Sequence, residues 1–230
     1  MTTVFVTSSG TNIGKTFVML RLIAELSRAG RRVRALKPIA SGFDAARPEG
    51  SDTALLLRAQ GLDVTAGALD AVTPWRFAAP LSPDMAAARV HRPIPFDALL
   101  AACRAAGDGS DVTLIEGVGG VMVPLDSQHT VLDWIAALGA PTLLVVGSYL
   151  GTLSHSLTAV TALQQRGITV AGIVVSESEE QPVPAAETAA TLARFVGPIP
   201  LRVLPRAAPA PPFGDFQGSP LLPLLERYLA

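Results

Sequence analysis

The sequence has 230 residues and a formal net charge of −1, with 49% apolar and 16% charged residues. This composition predicts one α/β domain, or at most two small ones, with a well-buried core, and it argues against intrinsic disorder and against a general nucleic-acid binder. The single cysteine, Cys103, excludes an internal disulfide and a cysteine-based metal site.

Neither a targeting segment nor a membrane span is predicted from the sequence. The chain starts directly with a strand pattern, and no apolar run approaches the ~18 residues that a membrane-spanning helix needs. We therefore expect a cytoplasmic protein that contacts no membrane and no nucleic acid.

Short β-branched runs alternate with segments of helical periodicity. The first predicted strand covers residues 3–7, and a predicted helix follows over 15–29 with its apolar residues on one face. Further strands are predicted at 32–37, 111–116, 141–147, 168–176 and 199–204, and further helices at 52–60, 84–91, 95–106, 130–138, 153–166, 184–195 and 219–229. Nearly continuous apolar strands separated by helices predict a parallel sheet with helices on both faces.

Three segments lack periodicity. Residues 38–50 and 72–83 are rich in proline, glycine and small residues, and so is the tail 205–220. We interpret the region 70–95 as an insertion on one domain that covers residues 1–230.

Residues 4–17, VFVTSSGTNIGKTF, resemble a phosphate-binding loop but depart from its pattern. The pattern G-x-x-x-x-G-K-[ST] requires glycine where this sequence has Ser9. Gly14, Lys15 and Thr16 nevertheless follow an apolar strand and open an amphipathic helix, whose free N–H groups and positive dipole end favour phosphate. This context predicts a nucleotide-binding, P-loop NTPase-like fold in which Lys15 reaches the phosphates and Thr16 ligates Mg²⁺. The alternative is an ordinary strand-to-helix turn with an exposed lysine.

Two carboxylates are candidates for completing a magnesium site. Mg²⁺ on a triphosphate usually takes one or two carboxylates besides phosphate oxygens. Glu116 ends a buried strand, and ligands of open α/β sheets sit at the carboxyl ends of strands. Asp52 begins a predicted helix, where Ser51 or Asp52 could instead be a helix cap. The alternative for Glu116 is a solvated or capping acid.

A second lysine is predicted beside the phosphate site. Lys37 stands at the carboxyl end of the second strand, within ALKPIASG, and Ser41-Gly42 form the following turn. A second cation suits phosphoryl transfer, because negative charge spreads over the moving group. The alternative is a surface lysine at a strand end.

With these features the chain resembles dethiobiotin synthetase, the ATP-dependent ring-closing enzyme of biotin synthesis. The family loop commonly reads G-T-[DG]-T-x-x-G-K-T, one residue longer than the standard loop, and its Thr11, Gly14, Lys15 and Thr16 match here. KPIASG, SDTALL, LIEGVGGVMVPL, TPWRFAAPLSPDMAA and GSYLGTLSHSL are similar to further family segments.

The resemblance implies a set of site residues. Those implied for catalysis are Lys37, Lys15, Thr11 and Ser41, and the implied magnesium ligands are Thr16, Asp52 and Glu116. Nucleotide contacts are implied for Asn12, Ile13, Gly14, Lys15, Thr16, Phe17, Glu116, Gly117, Val118, Gly119, Ser176, Glu177, Pro205 and Arg206. Substrate contacts are implied for Ser41, Gly117, Val118, Gly119, Gly120, Leu150, Gly151 and Ser154.

The sequence departs from the usual residues of the family at several positions. Ser8 replaces the first loop glycine, Gly10 replaces the usual acid, and Ser154 replaces an asparagine. Ser176 stands where the family has the asparagine that reads the adenine edge. A serine offers one hydroxyl there, whereas an amide offers both a hydrogen-bond donor and an acceptor group.

The resemblance implies that 7,8-diaminononanoate, CO₂ and MgATP give dethiobiotin, ADP and phosphate, through a carbamate and a carbamic-phosphoric anhydride. It also implies a homodimer in which residues 147–155 contact the carboxylate tail of the diamine in the partner subunit.

Two other functions fit parts of the pattern. A switch ATPase of the partition or septum-positioning type would share the fold, but its loop carries an extra lysine that residues 8–10 lack. A ligase for corrin amidation would normally need a glutaminase domain, for which 230 residues leave no room.

Overall fold

The computed structural model describes residues 2–206 and 218–229. In chain order, its strands are β1 (Thr2–Ser8), β2 (Val33–Leu36), β3 (Ile39–Ser41), β4 (Trp75–Phe77), β5 (Val112–Glu116), β6 (Thr142–Val146), β7 (Val170–Ser176) and β8 (Leu201–Leu204). The helices are α1 (Lys15–Arg28), α2 (Asp52–Ala59), α3 (Ala66–Val72), α4 (Pro83–Arg89), α5 (Phe96–Ala105), α6 (Val131–Leu138), α7 (Thr152–Gln165) and α8 (Ala185–Ala193).

Six strands form one parallel sheet in the order β2-β5-β1-β6-β7-β8. Strand β1 lies inside the sheet, with β5 and the edge strand β2 on one side and β6, β7 and β8 on the other, so the strand order reverses at β1. Such a reversal of strand order opens a crevice at the carboxyl ends of the strands, where ligands of α/β proteins bind. The predicted parallel sheet is confirmed.

Both faces of the sheet are covered, as predicted. Alternation along β1 sends Val4 and Val6 to one face, where they pack with α1 and with Leu221 and Leu224 near the C-terminus. Phe5 points to the opposite face, where α5, α6, α7 and α8 supply the other core. The rings of Phe5 and Trp134 of α6 pack edge to face, with their centroids 4.8 Å apart.

Cys103 of α5 belongs to the second core. It is 2% exposed, and burial raises the pKa of its thiol to about 12. The thiol is therefore protonated at neutral pH and acts as a small apolar residue.

Two of the three segments that lack sequence periodicity, residues 38–50 and 72–83, contain a second, small sheet. Strands β3 and β4 have three residues each and pair in parallel, and Gly42 N and Phe43 N extend this contact by donating to Ala79 O and Phe77 O. The interpretation of 38–50 and 72–83 as wholly irregular is therefore wrong, and α3 was not predicted either.

The predicted helix over 219–229 is wrong. Two 3₁₀ turns, Leu222–Leu224 and Glu226–Tyr228, replace it. Pro223 explains the difference, because proline removes a backbone donor and disfavours a regular α-helix. The leucine spacing nevertheless marks a buried contact, since Leu221, Leu224 and Leu225 are all at most 2% exposed. Of the tail noted as proline-rich, residues 207–217 lie outside the described residues.

An ion pair on α1 fixes this C-terminal segment. Arg21 and Glu25 bond each other at 2.6 Å, and Arg21 also donates to the carbonyl of Gly218. The second carboxylate oxygen of Glu25 accepts the backbone N–H groups of Leu221 and Leu222 at 2.8 and 2.7 Å. The pair satisfies backbone groups that a 3₁₀ turn leaves free.

Within residues 2–206 and 218–229, every helix is too short or too polar to cross a lipid bilayer.

Candidate active site

Three adjacent strands bring the predicted site residues to one edge of the sheet. Glu116, the last residue of β5, pairs in register with Val6 of β1, just before the phosphate-binding loop. On the other side of β5, Leu36 of β2 pairs with Ile115, so Lys37 follows at the level of Glu116. Residues distant in sequence therefore meet because parallel neighbours end together.

The loop between β1 and α1 has the backbone of an anion-binding turn. Gly14 is the N-cap of α1 with φ 95°, in the left-handed region that favours glycine. A Cβ at this position would lie 2.6 Å from Ser176 Oγ, so a larger residue would also clash with β7. The loop leaves the first N–H groups of α1 free to receive an anion.

Lys15 points inward beneath this loop. Its Nζ donates to Ser8 Oγ at 3.1 Å and to the carbonyl oxygen of Gly119 at 3.0 Å. Burial lowers the pKa of Lys15 to about 8, with Lys37 adding to the effect and the Glu116 and Asp52 carboxylates opposing it. A phosphate group would offset this loss of solvation, because it supplies charge and hydrogen-bond acceptors.

Lys37 lies between two carboxylates. Its Nζ donates to Glu116 Oε1 at 2.8 Å and to Asp52 Oδ2. Burial alone would lower the pKa of Lys37, but Glu116 and Asp52 outweigh it and raise that pKa above its ordinary value. Lys37 is 8% exposed, so the alternative of a surface lysine is wrong. Lys15 and Lys37 are the two lysines of the whole sequence, and both lie here.

The oxygen donors fit a hard divalent cation. Thr16 Oγ1 lies 2.9 Å from Glu116 Oε1, and Asp52 begins α2 nearby, with Ser51 as the N-cap that accepts from Ala54 N. Glu116 Oε2 is buried and has no hydrogen-bond partner within the described residues. The part of the chain that the structure describes holds no cluster of three or more His, Cys, Asp or Glu side chains for a metal. A cation here would therefore need further oxygens, such as those of a phosphate.

These groups line one cleft of about 710 Å³. Its walls include most of the predicted residues, namely Thr11, Asn12, Ile13, Gly14, Lys15, Thr16, Lys37, Ser41, Asp52, Glu116, Gly117, Val118 and Gly119. Ser41 Oγ is buried and has no partner among the described residues, so it is free to bond a ligand in the cleft.

One wall of the cleft was not predicted. Pro80, Leu81, Ser82 and Pro83 line it, and they come from the segment that enters α4. A Cβ on Gly42 would lie 3.3 Å from Pro80 Cβ, so this wall packs closely on the turn after β3. The sequence marked this segment by its similarity to the family, but the contact with the cleft depends on the small sheet.

The glycine-rich turn after β5 lies directly against the phosphate-binding loop. A Cβ on Gly120 would come within 3.2 Å of the backbone of Ser9 and Gly10, and Gly119 has φ 60°. Val121 N also donates to Ser8 O at 3.0 Å. Gly120 therefore supports the loop from beneath and does not line the cleft.

The other predicted residues lie outside this cleft. Ser176 contacts the far side of Gly14, and Phe17 packs into the core with α1. Glu177 Oε2 accepts Arg206 N at 2.9 Å, beside Pro205. Leu150, Gly151 and Ser154 lie at the start of α7, and Leu150 is 86% exposed. A smaller depression of about 360 Å³ separates this helix start from residues 9–13.

Comparisons with known proteins agree on one family. A family model described as an AAA domain matches residues 2–207. An ATP-dependent dethiobiotin synthetase BioD of Acidiphilium cryptum is 51% identical over 85% of this chain and 89% of its own length. The protein of the same name from Methylobacterium nodulans is 49% identical over 86% of this chain and 90% of its own length.

Solved structures share the fold at low identity. The septum site-determining protein MinD of Pyrococcus horikoshii, complexed with Mg-ADP, aligns with a TM-score of 0.54 and 19% identity, over 90% of this chain and 82% of its own. The MinC:MinD cell division protein complex of Aquifex aeolicus aligns with a TM-score of 0.54 and 9% identity, over 90% of this chain and 82% of its own. These structures support the predicted P-loop NTPase-like architecture and nothing further.

Proposed function

The chain belongs to the ATP-dependent dethiobiotin synthetase family, and from this premise we propose how its residues carry out the reaction. The enzyme is an ATP-dependent ligase of biotin biosynthesis, which forms dethiobiotin from 7,8-diaminononanoate and CO₂. The observation that carries the proposed mechanism is the meeting of Lys15 and Lys37 with Asp52, Glu116 and Thr16 in one cleft.

The reaction has to bring two anions together. One amine of the diamine takes up CO₂ and releases a proton, which gives a carbamate. A carbamate oxygen then attacks the γ-phosphorus of ATP, and ADP leaves. The second amine attacks the carbon of the resulting carbamic-phosphoric anhydride, so that the ureido ring closes, phosphate departs and this amine also loses a proton.

Electrostatics explains why the cleft needs two lysines. Two unit charges 4 Å apart interact by about 1 kcal/mol in bulk water but by about 4 kcal/mol at the effective dielectric near a protein surface. Repulsion between carbamate and triphosphate therefore grows on leaving water unless cations accompany them. Lys15, under the loop, neutralises charge on the phosphates. Lys37 neutralises charge on the carbamate oxygen that attacks the γ-phosphorus and on the oxygens of the transferred phosphoryl group.

The protonation of Lys37 suits an electrostatic role. Glu116 and Asp52 raise its pKa, so Lys37 enters the reaction as an ammonium group and not as a general base. Its contact with Glu116 Oε1 holds Nζ at the level of the strand ends, where it can turn from carboxylate to substrate oxygen without leaving the cleft.

Hydroxyl and backbone groups complete the proposed site. Ser41, with its unpartnered Oγ, and Thr11 bond the carbamate or the phosphate. Gly117, Val118 and Gly119 line the cleft. Gly117 N already donates to Val6 O at 2.9 Å, so Val118 and Gly119 present the backbone N–H groups to the carbamate, since glycine allows close approach. Gly120 supports them.

The side-chain oxygens of Thr16, Asp52 and Glu116 would be the protein ligands of Mg²⁺. The strongest indication of a metal site is Glu116 Oε2, which is buried and has no hydrogen-bond partner within the described residues. When bound with ATP, Mg²⁺ neutralises phosphate charge. The chain's part is to hold these three oxygens on one side of the phosphates.

The base end of the nucleotide is proposed to lie along Ser176, Glu177, Pro205 and Arg206, beyond the far side of Gly14. Asn12, Ile13 and Phe17 would support the loop and the helix that receive the phosphates. Phe17 is partly buried and does so by packing against the core.

We further propose a homodimer in the cytoplasm, where ATP is available. Leu150, Gly151 and Ser154 do not line the chain's own cleft, and the exposed start of α7 offers backbone N–H groups to a carboxylate. A partner subunit would bring this helix start to the diamine tail.

A product assay tests the function. The protein is incubated with ATP, Mg²⁺, ¹³C-bicarbonate and the diamine, and mass spectrometry follows dethiobiotin while a coupled assay follows phosphate. We expect ¹³C in the ureido carbon and phosphate release that depends on the diamine. Phosphate release of equal rate without diamine would indicate a switch ATPase instead.

A further inference from the structure

Two loops at the carboxyl edge of the sheet are bonded to each other through Ser148. The first loop, residues 147–151, joins β6 to α7, and the second, residues 177–184, joins β7 to α8. Ser148 N donates to Ser178 Oγ at 3.0 Å, and Ser178 N donates to Ser148 Oγ at 2.9 Å. Ser148 Oγ in turn donates to Gln181 Oε1 at 2.7 Å. Ser148 is fully buried, so these bonds do not compete with water.

Gln181 extends the connection to the end of β8. Its Nε2 donates to Glu177 Oε1 at 2.7 Å, and Glu177 Oε2 accepts Arg206 N at 2.9 Å. The Arg206 backbone and then the Gln181 amide lower the pKa of Glu177, which keeps this acceptor ionised. Both carboxylate oxygens are thus used in holding the segments together.

The first loop packs closely on itself and on the second loop at Gly147. A Cβ on Gly147 would lie 2.5 Å from the Tyr149 ring and 2.8 Å from Ser178 Oγ. Thr152 Oγ1 also donates to Gly147 O at 2.8 Å, which fixes the loop to the first turn of α7. The position of residues 177–181 therefore sets the position of the helix start.

We propose that Ser148 and Gln181 are positioning residues that couple the nucleotide-side segments, residues 176–177 and 205–206, to the diamine-side loop, residues 147–151. The inference rests on the proposed function, which assigns the base of the nucleotide to the first group and the diamine tail to the second. A nucleotide that fixes Arg206 and Glu177 also fixes Gln181, and through Ser148 it orders the helix start that receives the diamine bound by the partner subunit of the proposed homodimer. Such coupling raises the affinity for the second ligand, and by linkage the effect is reciprocal.

Calorimetry of the full-length protein with Mg²⁺ measures the coupling directly. The coupling factor is the dissociation constant of the diamine without nucleotide divided by that with a non-hydrolysable ATP analogue. We expect a factor of at least about 5 for the unchanged protein, the lower end of typical allosteric couplings. For Gln181→Ala we expect a factor near one, with the affinity for diamine alone unchanged.

Glu180→Ala is the matched control, because Glu180 is exposed and its side chain has no hydrogen bond or ion pair within the described residues. It should keep the coupling factor of the unchanged protein. Gln181 is only partly buried, so its variant should fold, and Ser148→Ala should show the same loss of coupling where that protein folds.

Three results would overturn the inference. The first is a coupling factor near one in the unchanged protein, and the second is an unchanged coupling factor in Gln181→Ala. The third is a Gln181→Ala protein that binds each ligand alone more weakly but keeps the coupling factor of the unchanged protein. Failure of the proposed function is separate, because it appears as absence of dethiobiotin in the product assay with the unchanged protein.

Discussion

Lys37 Nζ lies 2.8 Å from Glu116 Oε1, although 79 residues separate them in sequence. The contact arises because β2 and β5 are parallel neighbours in register, so the residue after one strand lies level with the last residue of the other. It places a buried cation beside a buried carboxylate next to the phosphate-binding loop. The proposed catalysis depends on this juxtaposition.

Lys37→Ala should lower kcat/KM by about a hundredfold or more, which corresponds to a loss of roughly 3 kcal/mol of transition-state stabilisation. The reason is that the change removes one preorganised positive charge from the site. Steady-state kinetics with ATP, bicarbonate and the diamine measures this effect. Arg31→Ala is the control, because Arg31 is exposed at the amino-terminal side of β2, and it should react at the normal rate. A near-normal rate for Lys37→Ala would remove this lysine from the chemistry.

Glu116→Gln should raise the Mg²⁺ concentration needed for half-maximal activity by at least about tenfold, the smallest effect usual for groups that support a metal site. The change removes the charge from the carboxylate whose Oε2 is unpartnered within the described residues. A magnesium titration of the initial rate measures it. Asp63→Asn changes an exposed carboxylate outside the cleft and should leave the titration unchanged. Identical magnesium curves for both variants would exclude Glu116 from the metal site.

Glu25→Ala should destabilise the protein by roughly 1–3 kcal/mol, because it removes the carboxylate that accepts from Arg21 Nε and from two backbone N–H groups. Urea unfolding monitored by circular dichroism gives the free energy of unfolding. Glu226→Ala removes an exposed carboxylate from the same C-terminal segment and should have little effect. If the two variants lose equal stability, the ion pair does not fix this segment.

Cys103 should not react with thiol reagents in the folded protein. Its pKa is raised to about 12, so the nucleophilic thiolate forms in quantity only above that pH, and burial also blocks access. Reaction with a chromogenic disulfide at pH 8 should be negligible in buffer and complete in guanidinium chloride. Rapid reaction of the folded protein would show that the core around α5 opens.

The sequence predicted the parts of the fold that have strong local signals. The six strands of the main sheet and α1 have long apolar runs or clear periodicity, and their observed bounds lie within two residues of the predicted ones. Strands β3 and β4 were missed because three residues among prolines and glycines have no period to detect, and their pairing depends on chain 36 residues away. At the C-terminus a helix was predicted over 219–229, but Pro223 changed the local structure to 3₁₀ turns.

The candidate site shows the same division. Lys15, Thr16, Lys37 and Glu116 were predicted from their positions at strand and helix ends, and the structure brings them together. The wall at Pro80–Pro83 and the support of Lys15 by Ser8 and Gly119 were not predicted, because they depend on contacts between distant segments.

The most direct test of the account is a crystal structure of the protein with a non-hydrolysable ATP analogue, Mg²⁺ and the diamine. We predict that the γ-phosphate lies within hydrogen-bond distance of Lys15 Nζ and Lys37 Nζ, with Mg²⁺ on the oxygens of Thr16, Asp52 and Glu116. A triphosphate bound away from the loop between β1 and α1, or Lys37 turned away from it toward solvent, would contradict the account.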